Sequence, residues 1–238
     1  MAISVVLLAY KEAENLRVLL PQIHSKMKEI GEAYEILVID SATPFDDTKA
    51  VCETHGAVYI PQEEPHYGGA FRTGIKYANY EKLQTLDADG SHNPSAMPEI
   101  YRKFEEGNDI VIGSRYVEGG ITHDAKSSIW MSHLLNGVMR RCIGVKAKDI
   151  STAYRLYDAK LLKAVTLKEE NYDVLQEVIL KMKIKKKEQQ KGTLKIGEIP
   201  IEFEKRMYGE SKRKLLKFII SYVMTVFKLL HIRLKGKS

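Results

Sequence analysis

The chain has 238 residues, 44% of them hydrophobic and 29% charged, with a formal net charge of +6. That is a soluble globular composition, long enough to bury a large core. Its two cysteines, Cys52 and Cys142, exclude a disulfide framework, fit a reducing compartment and lack metal-ligand spacing.

The residues at 1–9 lack the basic start of a signal peptide, and 3–9 form a continuous apolar run that predicts a buried strand. Residues 12–30 place Leu16, Leu19, Leu20, Ile23, Met27 and Ile30 on one helical face. A strand over 35–40, a helix over 46–55 and a strand over 57–60 follow. Paired glycines open a helix over 69–80; then come a strand over 82–86, a helix over 95–105 and a strand over 109–113. This alternation predicts an α/β fold, a mostly parallel, Rossmann-like sheet with helices on both faces. Such sheets bind ligands at the carboxyl ends of their strands, here marked by Tyr10, Asp40, Asp87 and Asp89. Farther on, a helix is expected over 127–143, a strand or turn over 149–157 leading into a helix at 159–165, a helix over 171–184, a strand over 194–203 and a long helix over 214–234. With no internal repeat and no Pro- or Gly-rich linker, the chain divides into one domain over 1–212 and a C-terminal basic amphipathic helix over 213–238.

The most informative run is Thr85-Leu86-Asp87-Ala88-Asp89-Gly90-Ser91-His92. At a strand end, two acids one residue apart project to the same side. Two hard carboxylate ligands there suit Mg²⁺ or Mn²⁺, with diphosphate oxygens completing the shell. The pair therefore points to a nucleoside diphosphate. No G-x-G-x-x-G follows the first strand, which argues against a dinucleotide oxidoreductase. His92 reads as a turn residue rather than a base, and Arg72 as a solvated side chain.

Segments in one consistent order extend the pattern: Ala9-Tyr10-Lys11-Glu12, Tyr67-Gly68-Gly69-Ala70 through Gly74, Asp87-Ala88-Asp89 through His92-Asn93-Pro94, and Gly113-Ser114-Arg115-Tyr116-Val117. Asp149 through Arg155, Gln176-Glu177, and Glu198-Ile199-Pro200-Ile201 leading into Arg206 and Tyr208-Gly209-Glu210-Ser211-Lys212 complete it. Together they resemble dolichyl-phosphate mannose synthases and related polyprenyl-phosphate glycosyltransferases of glycosyltransferase family 2. The resemblance implies a type A glycosyltransferase fold, a divalent metal, a nucleotide-sugar donor and a polyprenyl-phosphate acceptor.

It also implies roles. Asp87 and Asp89 are the metal ligands. Ala9, Tyr10, Glu12, Asp40, Gly69, Asp87 and Ala88 fall to the nucleotide, with Asp40 on the base. Arg115, Arg206 and Lys212 join Asp89 in catalysis as phosphate-neutralising groups. Lys126, Ser132 and Ser211 join Arg115, Arg206 and Lys212 around the acceptor phosphate, with Asn136 in register. Asp149, Arg155 and Glu177 fall to the sugar. Structural alternatives stand beside several of these. Tyr10 packs on the nucleoside or in the core. Glu12 binds the nucleoside or favours a helix start. Asp46 and Asp47 cap the next helix. Gly68 and Gly69 expose amides to an anion or permit tight packing. Arg115 clamps phosphate or forms an ion pair. Asp149 and Arg155 pair with each other or line the sugar site, and Glu177 meets the sugar or a solvated face. The chain departs from the family pattern at Ser41, where a second acid is usual, and at Ser127, where Arg is usual.

Basic residues cluster between Lys181 and Lys195 and again between Lys205 and Lys237. Neither run carries a nucleic-acid module pattern or interleaved stacking aromatics, so no nucleic-acid partner is expected. The first run reads as a solvated helix end and loop. The second belongs to a helix with a wide apolar face and basic ends, suited to lie at a membrane surface or to dock on protein, including a small membrane subunit or a second copy. The expected activity is inverting, metal-dependent transfer of a hexose from a nucleotide sugar to a polyprenyl phosphate at the cytoplasmic membrane face. By the resemblance the donor is GDP-mannose. The alternatives are a UDP-glucose-type donor with a polysaccharide or other soluble acceptor, and a non-catalytic nucleotide- or lipid-binding protein.

Overall fold

The computed structural model describes residues 2–123, 126–204 and 215–236, and for 126–128 and 215–223 the course of the backbone alone. In chain order it contains β1 (Ala2–Leu8), α1 (Ala13–Ile30), β2 (Ala33–Asp40), α2 (Thr48–Thr54), β3 (Val58–Pro61), α3 (His66–Tyr77) and β4 (Lys82–Asp87). After a 3₁₀ turn at Pro94–Ala96 come α4 (Met97–Glu105), β5 (Ile110–Ser114), β6 (Ile121–Thr122), α5 (Lys126–Ile143), β7 (Arg155–Asp158) and α6 (Ala159–Lys163). The chain continues with α7 (Val174–Glu188), β8 (Ile196–Pro200), β9 (Glu202–Phe203) and α8 (Leu215–Lys235).

Seven strands form one sheet in the order β3-β2-β1-β4-β7-β5-β8, while β6 and β9 pair separately. Strands β1, β2 and β4 are largely buried on both faces, as parallel strands covered by helices must be, with Lys82, Gln84 and Thr85 of β4 buried beside its leucines. One face packs against α1 and α4 through Leu16, Leu20, Ile23 and Ile100; the other packs against α3 and α7 through Phe71, Val178 and Ile179. Gly31, at φ 79°, closes α1 by donating its N–H to the Met27 carbonyl.

The sheet is mostly parallel, but β7 runs antiparallel between β4 and β5. It starts beside Thr85 and Ile112, near the carboxyl ends of those strands. The excursion over 115–154 therefore begins and ends at that edge of the sheet, and the returning strand has to run backwards. The run expected as one strand over 194–203 is split. Ile201 donates its N–H to the Ser114 carbonyl, and beyond it Glu202 and Phe203 leave the main sheet to pair with Ile121 and Thr122.

Helix α3 starts two residues before the paired glycines, which fall in its first turn. A Cβ at Gly68 would stand 2.0 Å from the Glu169 carbonyl oxygen, and one at Gly69 would stand 2.1 Å from that of Glu64. Close approach of backbone to backbone therefore accounts for both. Gly68→Ala is expected to lower stability by about 1–3 kcal/mol, because the obstacle is main chain rather than a rotatable side chain. A urea midpoint within error of the wild type would contradict this.

The C-terminal α8 packs against α5 and α7. Leu229 is fully buried in the main core, with Val226 and Ile232 against it.

Candidate active site

The carboxyl ends of β1, β2 and β4 carry the residues expected to meet a nucleotide. Lys11 adopts φ 60°, uncommon for a non-glycine residue, immediately after Tyr10. Tyr10 is half-exposed, with its ring 5.2 Å from that of Phe45, and the Lys11 ammonium lies 5.1 Å from the Phe45 ring. These three form an aromatic and cationic platform beside the end of β2. Phe45 escaped the sequence reading; its signal was a bulky aromatic in a polar turn just after Asp40.

Asp40 is 1% exposed. The Tyr59 hydroxyl approaches its Oδ2 at 3.4 Å, and its Oδ1 is buried without a hydrogen-bond partner. Burial pushes its carboxyl above the ordinary range. A buried acceptor of this kind is costly unless a ligand donor completes it. Glu12 precedes α1 and accepts a hydrogen bond from the Asn15 amide. Asp46 caps α2 by accepting from the backbone and hydroxyl of Thr48, and also receives the Ala13 N–H. Asp47 instead pairs with Arg17.

At the end of β4, Asp87 and Asp89 share one turn. The Asp87 side chain is partly exposed, and the Tyr67 hydroxyl donates to its Oδ1 at 3.3 Å. Asp89 Oδ1 accepts the Ser91 N–H at 3.0 Å and the Ser91 hydroxyl at 2.5 Å. Ser91 thus aims its hydroxyl at Asp89. His92 is buried, not a surface turn residue. Its Nδ1 accepts the Asp87 N–H at 3.0 Å, which places the proton on Nε2, 3.3 Å from the Thr152 hydroxyl. Tyr154 and Phe203 enclose its ring, and burial holds its pKa below the ordinary value. The neutral imidazole braces the turn. Two hard carboxylates on one braced turn fit a divalent cation of the Mg²⁺ or Mn²⁺ type.

Arg115 leaves the end of β5 and meets Asp149 in a two-pronged ion pair, with Nε 2.7 Å from Oδ2 and Nη2 3.0 Å from Oδ1. Its Nη2 also donates to the Ser151 hydroxyl, and the guanidinium lies over the Phe203 and Tyr116 rings. Burial pushes the Asp149 carboxyl up, but the Arg115 charge and hydrogen bonds outweigh it and hold the group below the ordinary range. The alternative that Asp149 pairs with Arg155 is thus set aside. Arg155 is fully buried and donates to the carbonyls of Ile150 and Leu175, tying the 150 loop to the start of α7.

Glu177 is neither solvated nor open to the cleft. At 1% exposure it accepts the N–H groups of Lys168 and Glu169 and pairs with Lys181 at 2.8 Å. Lys181, Lys183 and Lys186 likewise have partners: Glu177, the Ile143 and Gly144 carbonyls, and Asp109 respectively. The first part of that basic run is therefore tethered, while the helix end and loop over 187–193 are exposed as expected. Arg72 is also engaged, with Glu64 and the Glu169 carbonyl.

A family model described as "Glycosyl transferase family 2" matches residues 4–166. The chain belongs to glycosyl transferase family 2. Among similar proteins, a dolichol-phosphate mannosyltransferase of Pyrococcus furiosus is 27% identical over 97% of this chain and 64% of its own length. An undecaprenyl-phosphate mannosyltransferase of Micrococcus luteus is 29% identical over 89% of this chain and 87% of its own length. The chain thus spans just under two thirds of the Pyrococcus protein. Among solved structures, the glucosyl-3-phosphoglycerate synthase of Mycobacterium tuberculosis, in complex with Mn²⁺, UDP and phosphoglyceric acid, superposes with a TM-score of 0.73. It covers 96% of this chain and 78% of its own at 17% identity, and shows the type A glycosyltransferase fold.

In this family 2 chain, Arg206, Ser211 and Lys212 lie outside the described residues, as does the Lys126 side chain. Glu204, two residues before Arg206, donates its N–H to the Ser91 carbonyl at 3.0 Å, and Phe203 bridges to His92. The described chain up to Glu204 therefore lies beside the turn that follows Asp89. Ser132 lies on α5, whose Asn136 accepts the Ile150 N–H and donates to Ser151 beside the Arg115–Asp149 pair. On the separate β6–β9 ribbon, His123 pairs with Glu202 at 2.8 Å, with Glu204 4.0 Å away.

Proposed function

We propose that this chain transfers a hexose, mannose from GDP-mannose, to a polyprenyl phosphate, with inversion at the anomeric carbon. The observation that carries the reading is the meeting of three parts at one sheet edge. These are the Tyr10–Phe45–Asp40 end, the Asp87–Asp89 turn, and the Phe203–Glu204 segment, two residues short of Arg206, that pairs beside that turn. The names of the two mannosyltransferase relatives supply the sugar and the class of acceptor.

In this reading the platform holds the nucleoside and the buried Asp40 carboxylate takes donors from the base. Asp87 and Asp89 hold Mg²⁺ or Mn²⁺, which when bound supplies positive charge to the departing diphosphate. Arg206 and Lys212 neutralise the remaining charge and, with Lys126, Ser132 and Ser211, orient the acceptor. Arg115, locked by Asp149, shapes the wall of the site, while Arg155 and Glu177 hold the 150 and 168 loops that border it. A phosphate monoester, with a second pKa of about 6, is already largely dianionic near neutrality. It needs orientation more than deprotonation, and the neutral, enclosed His92 is consistent with a site without a strong base.

The acceptor places the work at a membrane face. Among the described residues no helix is long and apolar enough to cross a membrane. Helix α5 leaves Trp130, Leu134 and Val138 exposed at four-residue spacing, and α8 leaves Met224, Phe227 and Leu234 exposed beside the basic Arg233 and Lys235. This apolar surface with a basic margin suits peripheral attachment to an anionic leaflet.

The test is incubation of labelled GDP-mannose with a polyprenyl phosphate and Mn²⁺, with UDP-glucose and a soluble acceptor in parallel. Product that partitions into organic solvent supports the proposal; water-soluble product, or binding without turnover, overturns it. Phe45→Ala is expected to raise the donor KM about tenfold through loss of one stacking face, with a smaller effect on kcat. An unchanged KM would remove Phe45 from the nucleotide site.

A further inference from the structure

The loop between α6 and α7 touches the C-terminal helix and, through Tyr67 of α3, reaches the Asp87 turn. On one side, Thr225 of α8 donates to Asp173 Oδ2 at 2.6 Å, and Lys228 of α8 pairs with Glu169 at 2.9 Å. On the other, Tyr172 stacks on Tyr67, with ring centroids 4.2 Å apart and planes 29° apart, and the Tyr67 hydroxyl donates to Asp87 Oδ1 at 3.3 Å. The loop has little slack. Glu177 holds its backbone at Lys168 and Glu169, the Gly68 N–H donates to the Glu170 carbonyl at 2.7 Å, and Arg72 holds the Glu169 carbonyl. Gly68 has no room for a side chain against the same carbonyl, so the loop and the start of α3 move together.

We propose that Tyr67, Tyr172, Thr225 and Lys228 are positioning residues through which the seating of α8 sets the orientation of Asp87. The inference rests on the reading of Asp87 as a metal ligand. The physical reason is directional. A carboxylate turns readily about its terminal torsion, and the phenol hydroxyl selects one orientation of Asp87. The phenol is set by its stacking partner, and that partner by a loop clasped to α8. Linkage then requires reciprocity: whatever reseats α8 changes metal affinity, and bound metal favours the seated helix. Because α8 also presents the exposed apolar face, attachment to lipid and readiness of the metal turn become coupled.

The test measures Mn²⁺ affinity of the full chain by electron paramagnetic resonance, with GDP and in parallel UDP, and without sugar donor or lipid. Tyr67→Phe, Tyr172→Ala and the Thr225→Val/Lys228→Met double variant are each expected to weaken Mn²⁺ binding about five- to tenfold, within the usual range of coupling between sites. Thr225→Ser and Lys228→Arg are expected to retain wild-type affinity. In a Tyr67→Phe background, the α8 substitutions should add less than about twofold, since the hydroxyl they act through is gone. If the double variant fails to fold, Thr225→Val alone carries the same expectation. Wild-type affinity in Tyr67→Phe or in the α8 variants overturns the proposal, as does full multiplication of their effects. A wild-type chain that binds no Mn²⁺ removes the metal reading of Asp87 and this coupling with it. Binding with unchanged variants removes the coupling alone.

Discussion

Asp89→Ala is expected to abolish metal-dependent sugar transfer, with a loss of about a thousandfold or more, while the protein stays folded. The magnitude follows from removing a group aimed at charge that grows only in the transition state, where one electrostatic stabiliser is worth about 10²–10³ in rate. The fold should tolerate the change. Asp89 is a turn residue whose Oδ1 accepts two hydrogen bonds from Ser91, and a lost hydrogen bond of this kind costs about 1 kcal/mol. Asp89→Asn separates the two roles. It keeps an acceptor for Ser91 and removes the charge, so thermal stability should match the wild type while transfer remains lost. The assay is labelled-hexose transfer over a Mn²⁺ titration, beside a thermal melt. Full activity in either variant would end the metal assignment.

The second large effect falls on stability. Asp149→Ala leaves the Arg115 guanidinium, with 10% of its side chain exposed, without its carboxylate, and removes an acceptor that also receives Arg115 N–H and the Ser151 hydroxyl. Breaking a buried pair by removing one partner costs about 3–5 kcal/mol, since the remaining charge stays desolvated. For a chain of this size that is about 10 °C or more in Tm. Arg115→Ala is expected to cost a similar amount, and the double variant less than the sum. Loss of transfer should accompany both, because the pair shapes the wall of the site. The same carboxylate gives a pH signature. Its folded pKa is depressed, so its contribution is fully present above the ordinary aspartate value of about 3.9 and is lost as pH falls through the lower folded value. Denaturant midpoints measured from pH 4 downwards should fall steeply in the wild type and more shallowly in Asp149→Asn. Parallel slopes, or a destabilisation below about 1 kcal/mol, would contradict the pair's assigned weight.

Much of the nucleotide half was legible because its signals are local. A continuous apolar run marked β1, the helical spacing of Leu16 through Met27 marked α1, and the strand-end acids announced themselves by spacing. The misreadings share a different cause. Glu177 and Lys181 look like an ordinary solvated helical pair four residues apart, but a buried helix position forces them onto each other and onto the 168 loop. Asp149 stands six residues from Arg155 and thirty-four from Arg115, and chose the distant partner because β5 ends beside it. Phe45 has no motif of its own, and Tyr67 only leads the glycine segment without an assigned role; one acquires meaning beside Tyr10, the other between Tyr172 and Asp87.

Periodicity and spacing along the chain were sufficient for the layered α/β architecture, the carboxyl ends of its strands and the acids placed there, since these depend on neighbours within a few residues. Only the tertiary structure decided which charges answer each other, that β7 runs backwards, that the strand leading to Arg206 abuts the Asp87–Asp89 turn, and that α8 clasps the loop behind Tyr67. Those choices turn on burial and on contacts between residues tens of positions apart, where the energy of a pair depends on desolvation that no local pattern encodes.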